Sequence, residues 1–467
     1  MAYTVFKLPI GYRLYDRERN KIVTICEGEY HALERLLKGC GTQDDEAVLG
    51  RFQKNNFCCD GTLTEIEHPA ESTIDRVLQK NVFQMVLQVT QNCNLRCSYC
   101  AYSGSYYNRK HNNKRMDEQT ALRAVDFIMS HSSDVEEITI GFYGGEPFLE
   151  FDLIKKVVRY VKEVYPEKKV RFNLTTNMTL VSDEIIDYIT KNNIEIMISI
   201  DGPESVQDKY RVFASGQGSY AKVIQNVSKL CEKDAEYYGK CMTNTVLSPG
   251  CDCEAVRDFL DHDELFSPLT SMVTQVNDVG LKEQVEYDDS YYTMMRREKF
   301  KLLLAMLGEI GFDKVSKVAR QHMATILQTY QMLKTKGTDG LKSSHPGGPC
   351  VPGKKRVFVD VDGRFYPCER ISESEEFQIG NLDEGFDYDR IRKMLNVGKC
   401  SRKECLDCWA FLYCGTCIAN MTEEGTAAKA MRMRRCPGEK NNLISQLSDV
   451  EIMKHYGFDF VQMEEEK

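Results

Sequence analysis

Between residues 83 and 276, short apolar runs alternate with stretches whose apolar residues recur at helical spacing. No other feature constrains the fold as tightly. Phe83 to Val89, Ile138 to Tyr143, Val170 to Leu174, Ile194 to Ile200, Met242 to Leu247 and Met272 to Val276 read as strands. Amphipathic helices fall between them, such as Glu118 to Met129 and the run that puts Ile154, Val157, Val158 and Val161 on one face. Strands separated by helices of roughly 10–15 residues imply parallel βα units, here about six of them. The predicted class is α/β, with a partial (β/α)6 TIM-type barrel over residues 81–280. In such barrels the chemistry sits at the carboxyl ends of the strands.

The flanks follow different rules. Residues 1–80 start with strand-like runs at Phe6 to Leu8, Tyr12 to Tyr15 and Ile22 to Ile25. Helical spacing follows at Tyr30, Leu33, Leu36 and Leu37, and again at Val48 and Phe52, giving the outline of a winged-helix-like domain. Residues 281–345 are rich in Glu, Lys, Met and Leu at helical periodicity and read as a helical bridge. The bridge ends in the turn-forming run Ser343 to Pro349. Residues 346–467 form a cysteine-rich C-terminal domain.

The cysteines decide the chemistry. There are 19 of them in 467 residues, against one tryptophan, Trp409. A chain of this length needs no disulfide framework, and an odd count cannot pair completely. No apolar run approaches the roughly 18 residues of a membrane span, and polar alternation around Tyr3 to Tyr15 is not a secretory signal. A cytoplasmic protein without membrane association is expected, with thiols reduced and available to metals. The net charge of −9 argues against general nucleic-acid binding, because phosphate contacts need a basic surface.

Cys93, Cys97 and Cys100 form a C-x3-C-x2-C triplet just after the first barrel strand. Three thiolates leave one corner of a cubane cluster open, since such clusters normally take four cysteines. Zinc would want a fourth ligand at a matching spacing, and His111 is the only histidine nearby. The triplet, with Tyr99 before its last cysteine, resembles the radical SAM superfamily. Gly144-Gly145-Glu146-Pro147 looks like that family's GGEP motif, and Ser199-Ile200-Asp201-Gly202-Pro203 with Arg211 like its S-x-DGP…R block. The resemblance implies that Gly144, Gly145 and Glu146 hold the amino group of S-adenosyl-L-methionine (SAM). It further implies that Thr176 and Asn177 reach its ribose or carboxylate, that Ser199 and Arg211 bind the carboxylate, and that Tyr99 lies beside the adenine. A reduced [4Fe–4S] cluster would cleave SAM to methionine and a 5′-deoxyadenosyl radical.

The C-terminal cysteines resemble the SPASM extension, which implies two auxiliary [4Fe–4S] clusters and therefore three clusters in all. Carried over by position, Cys350, Cys368 and Cys417 fall to the first, and Cys405, Cys408, Cys414 and Cys436 to the second. Cys400 has no fixed counterpart: it closes the first auxiliary cluster, or that cluster stays open to a substrate thiolate. Glu369 stands where sulfatase-maturing relatives carry a catalytic Asp. It reads either as a general base or as a surface carboxylate paired with Arg370 or another cation. Cys251 with Cys253, and Cys58 with Cys59, are close pairs without a complementary set and read as structural thiols.

The first 80 residues look like the precursor-recognition element of enzymes that modify ribosomally made peptides (RiPPs). The whole chain thus resembles radical SAM/SPASM maturases, and within them the sactipeptide and ranthipeptide thioether synthases. That resemblance implies a leader peptide bound by residues 1–80, a Cys-containing core in the barrel, and an electron donor such as flavodoxin or ferredoxin. The alternatives are a formylglycine-generating, anaerobic sulfatase-type maturase and a C–C or C–O crosslinking peptide cyclase.

Overall fold

The computed structural model describes residues 1–106, 109–278, 280–347, 350–423, 426–427 and 429–465. Gly348 and Pro349 of the expected turn lie outside the described residues. The chain opens with three antiparallel strands, β1 (Tyr3–Leu8), β2 (Gly11–Asp16) and β3 (Lys21–Ile25), in the order β1-β2-β3. Two helices follow, Glu27–Leu37 and Gln43–Lys54. The second is started by Thr42, whose hydroxyl accepts from Asp45 N while the Asp45 carboxylate accepts from Thr42 N. Tyr3, Leu14, Ile25, Leu33, Leu36 and Cys58 make a small core of their own here.

The remainder of the expected 1–80 unit packs elsewhere. β4 (Glu65–Ile66) pairs with a later strand, and Leu63 and Ile66 pack against Cys405 and Phe411. Ile74 and Leu78, on the helix Ile74–Lys80, join the barrel core.

The six expected parallel strands are present: β5 (Gln84–Thr90), β6 (Glu137–Gly144), β7 (Lys169–Thr176), β8 (Glu195–Ser199), β9 (Met242–Leu247) and β10 (Thr270–Gln275). They neighbour one another in sequence order, each pair parallel. β5 and β6 are buried along nearly their whole length, on both faces, whereas β7 to β10 alternate between buried and partly exposed positions. The helix Phe151–Val164 buries Leu153, Ile154, Val157, Val158 and Val161 against them.

The sheet does not stop at β5. β11 (Ser343–Ser344), within the expected turn, pairs with β4. Then β12 (Val357–Val359) lies parallel to β5, with Val357 opposite Met85. β13 (Arg364–Tyr366), β14 (Gly380–Asn381) and β15 (Gly385–Phe386) continue it antiparallel, making ten strands in all. The cysteine-rich segment therefore begins as an extension of the barrel sheet and not as a separate body.

The bridge is helical, as its spacing predicts, with helices Asp289–Met306 and Lys317–Leu333. Leu302, Ala305, Ile326 and Leu327 pack with Phe6 and Tyr15 of the N-terminal sheet and with Leu443, Leu447 and Val450 of the long helix Lys429–His455. No helix among the described residues is long and apolar enough to cross a membrane.

Candidate active site

The carboxyl ends of β5 to β8 deliver the expected residues to one place. β5 ends at Thr90, and the Cys93–Cys100 loop leaves from there. The turn after β6 is pressed against that loop: Gly145 N donates to Thr90 O at 3.0 Å and Glu146 N to Asn92 O at 2.9 Å. Contact this close requires glycine. A Cβ on Gly144 would lie 1.9 Å from Thr90 O, and one on Gly145 1.9 Å from Asn92 O. The other side of the loop is tied to the segment beyond β8, through Arg96 N to Val212 O and Ser98 N to Tyr210 O.

Glu146 is buried, and its carboxylate is fully engaged. Oε1 accepts from Thr176 Oγ1 (2.8 Å) and Phe148 N (3.2 Å), and Oε2 from Asn177 N (2.8 Å). Burial raises its pKa, and these donors oppose the shift. Asn177 in turn donates from Nδ2 to Asn94 Oδ1 (2.9 Å) and toward Cys93 Sγ (3.7 Å). The motif residues at the ends of β6 and β7 thus hold the cysteine loop.

The half-buried Tyr99 and the buried Asp201 and Arg211 form a triad. The Tyr99 hydroxyl donates to Asp201 Oδ2, and Arg211 Nη1 donates to the Tyr99 oxygen at 2.8 Å and approaches Asp201 Oδ1 at 3.9 Å. Val246 N donates to Asp201 Oδ1, so β9 helps to fix it. Arg211 Nε is buried without a hydrogen-bond partner among the described residues, which fits a guanidinium waiting for a carboxylate. Ser199 is buried at the end of β8.

The thiols fit an iron–sulfur cluster. Burial pushes Cys93 up to about 12 and Cys97 up to about 11, and burial raises Cys100 as well. Bare thiols here are therefore neutral, whereas a bound metal deprotonates its thiols outright. Backbone N–H groups already point at the sulfurs, from Leu95 to Cys93 (3.3 Å) and from Tyr102 to Cys100 (3.4 Å). Among the described residues no three His, Cys, Asp or Glu side chains converge to hold a single metal ion.

The C-terminal cysteines gather in two groups. Burial pushes Cys368 up to about 11, with Glu369, Cys417 and Cys350 adding to the effect; Cys350 likewise feels Cys417. Ala419 N donates to Cys417 Sγ at 3.4 Å. In the second group, burial raises Cys408 and Cys436, and both also feel Cys405 and Cys414. The buried Arg432 donates to Cys414 Sγ at 3.8 Å. Burial opposes its charge, but Cys414 and Cys405, with Cys400 as a weaker neighbour, keep it protonated. Cys400 itself is exposed. Glu369 pairs through Oε1 with Arg356, while its Oε2 is buried without a hydrogen-bond partner among the described residues.

The sequence offers little sign of the connection between the two regions. Arg109, on the loop after Cys100, donates to the carbonyls of Glu369 and Ile371, both at 2.6 Å, and its Nε lies 3.0 Å from Glu373 Oε1. Gln88 of β5 donates to the Tyr102 hydroxyl oxygen (2.6 Å) and to Glu373 Oε1 (3.0 Å). A glutamine in the fully buried run Met85 to Thr90 was the one available signal. Asp201 was quoted within its motif but given no role.

Residues 87–262 match the Radical SAM superfamily, so a radical SAM domain occupies that part of the chain. An uncharacterised protein of Methanocaldococcus jannaschii is 39% identical over 143 residues, 31% of this chain and 46% of that protein. A cysteine-type anaerobic sulfatase-maturating enzyme of Clostridium novyi is 24% identical over 310 residues, 65% of this chain and 78% of the enzyme. A radical SAM cyclopropyl synthase, TigE, of Paramaledivibacter caminithermalis is 23% identical over 200 residues, 40% and 42% of the two chains. The chain thus spans less than half of the first and third of these relatives. The solved structure of anSMEcpe with bound AdoMet shares the fold, with a TM-score of 0.57 and 18% identity over 78% of this chain and 98% of that one.

Proposed function

We propose that this chain, with its radical SAM domain at residues 87–262, matures a ribosomally synthesised precursor peptide by joining a cysteine sulfur to a peptide carbon as a thioether. One observation carries the reading. Arg17 ties the N-terminal sheet to Leu406 and Cys408, and Arg109 ties the Cys93–Cys100 loop to the Cys368 segment. A substrate held at one end and modified at the other needs such fixed distances.

Each part then has a task. The leader would add as a strand beside β3, whose partner among the described strands is β2 alone. Cys93, Cys97 and Cys100 would hold a [4Fe–4S] cluster which, with SAM and an electron from a flavodoxin- or ferredoxin-like donor, supplies the 5′-deoxyadenosyl radical. Cys350, Cys368 and Cys417 would hold one auxiliary cluster, and Cys405, Cys408, Cys414 and Cys436 the other. Arg211 would receive the SAM carboxylate, with Tyr99 and Asp201 fixing its guanidinium. Glu369, turned by Arg356, would offer its unpartnered Oε2 to the proton of the substrate thiol.

The test is anaerobic reaction of reconstituted protein with SAM, a reductant and a Cys-containing precursor. A product lighter by two hydrogens, with its cysteine closed to alkylation, supports thioether formation; an unmodified peptide overturns the proposal. The same mass loss with a free cysteine indicates a C–C or C–O crosslink. The sulfatase-maturating relatives favour a second reading, formylglycine formation, whose product carries an aldehyde reactive toward hydrazides.

A further inference from the structure

Cys251 and Cys253 belong to none of the cluster ligand sets, yet their sulfurs lie 3.2 Å apart. Cys251 follows the turn at the carboxyl end of β9. Cys253 is the first residue of the helix Cys253–His262, which Asp252 caps by accepting from Ala255 N. Both side chains are shielded from bulk water, but both line a cavity of about 470 Å³ shared with Glu254, Asp289, Ser290 and Thr293. A small molecule entering that cavity meets two sulfurs already in contact.

We propose that Cys251 and Cys253 are a redox-active dithiol that exchanges with low-molecular-weight disulfides and closes to an intramolecular disulfide. A disulfide bond is about 2.05 Å long, so the sulfurs need to approach by roughly 1 Å. Gly250, in a left-handed conformation just before Cys251, gives the loop the freedom to supply that movement.

The two sulfurs have different roles. With Cys253 as S–H donor, the hydrogen bond lowers the pKa of Cys251 and raises that of Cys253. In that arrangement Cys251 is the attacking thiolate, and the two serine variants below test this order against the reverse. It displaces one thiolate from the incoming disulfide and forms a mixed disulfide. Cys253 then loses its proton and attacks the Cys251 sulfur, expelling the second thiolate. Two electrons pass from the protein dithiol to the small disulfide, and the two protons end on the two released thiols.

The site is built into the SAM-binding face of the barrel. Tyr210 Oη donates to Pro249 O and Lys209 Nζ to Gly250 O, both at 2.9 Å, so two side-chain hydrogen bonds link the loop to the helix that ends beside Arg211. The chemistry depends on neither the clusters nor the peptide substrate.

Mass mapping of anaerobically prepared, cluster-loaded protein tests the proposal, with cystamine as the probe because its cationic ends suit a cavity edged by Asp252 and Asp289. After reaction, free thiols are blocked with N-ethylmaleimide in denaturant and the protein is cut with trypsin. The peptide between Lys240 and Arg257 carries Cys241, Cys251 and Cys253. The expected product has a single maleimide and is lighter by two hydrogens, and dithiothreitol reverses the change. A peptide bearing three maleimides throughout overturns the proposal, and this reading requires no variant to fold. The Cys253→Ser protein should stop at a cysteamine mixed disulfide on Cys251, and Cys251→Ser should lose the exchange. Exchange at Cys253 that survives in Cys251→Ser overturns the assigned order of attack.

Discussion

Arg17 donates from Nη1 to the carbonyl of Cys408 at 3.1 Å and to that of Leu406 at 2.6 Å. It sits on the turn between β2 and β3, and its side chain is fully buried. Its other nitrogens meet Glu18 Oε1 and Thr338 Oγ1. The chain amino group adds a bond to Asp407 O at 2.8 Å, and Tyr413 Oη donates to Asn20 Oδ1 at 3.0 Å. The N-terminal sheet is thus fastened directly to the C-x2-C loop of Cys405 and Cys408.

Replacing Arg17 with Met should therefore cost far more than a surface charge. Glu18, 5% exposed, would be left as a buried carboxylate without its guanidinium. Breaking one side of such a pair typically costs about 3–5 kcal/mol. Urea unfolding of the metal-free protein should show a loss of that size. A loss below about 1 kcal/mol would mean the pair is solvated and the junction loose.

Gly145→Ala tests the contact between the β6 turn and the cysteine loop. The added methyl would lie 1.9 Å from Asn92 O and 2.4 Å from Asn92 C, both backbone atoms with nowhere to swing. The loop carrying Cys93 must move, and the expected outcome is loss of the iron bound at Cys93, Cys97 and Cys100. Helical circular dichroism should stay near wild type. Gly28→Ala, where a Cβ meets nothing within 4 Å, is the control and should keep its iron.

The barrel was legible because its strands are short apolar or alternating runs, each separated from the next by an amphipathic helix, and that regular alternation marks them. The extension through β12 was not, because three residues, Val357 to Val359, carry no periodicity and their partner Met85 is distant in sequence. The cysteine triplet and its strand-end companions were readable for a related reason. Ligands on successive strand ends are spaced by the βα repeat itself. Arg109 and Glu373 lie on irregular loops and meet only in the folded chain, and no local pattern marks either. Cys251 and Cys253 were visible as a pair, but their sulfur contact and the cavity beside them were not.

His345 sets a pH dependence. Its Nε2 accepts from Gly398 N at 2.9 Å, and its Nδ1 lies 2.8 Å from Pro346 O, so the neutral ring fits as it stands. Burial pulls its pKa down to about 4, with the nearby His68, Arg432 and Lys399 pushing the same way. The unfolded chain takes up this proton near the ordinary value of about 6.5, before the folded chain does. Stability is therefore intact above that value and is lost as the pH falls toward 4. Between pH 7 and pH 5 the loss from this one group should be about 2 kcal/mol. Urea unfolding of metal-free wild-type and His345→Gln proteins at both pH values checks it. The variant should be less stable at pH 7 and should lose about 2 kcal/mol less than wild type on acidification. Equal losses in the two proteins would remove His345 from the pH response.

Trp409 offers a direct optical check on the proposed second auxiliary site. It follows Cys408 in the chain and packs edge-on against Tyr15, with ring centroids 6.3 Å apart. Since it is the only tryptophan, all indole emission reports on this position. An iron–sulfur cluster held by Cys405, Cys408, Cys414 and Cys436 absorbs broadly and accepts electrons, so the emission should be strongly quenched in loaded protein. Chelation of iron should restore it. A recovered band that stays blue-shifted would show that the indole is still packed against Tyr15 and that quenching, not unfolding, was relieved. Emission of equal intensity before and after iron removal would place the metal elsewhere and undo the assignment of these four cysteines.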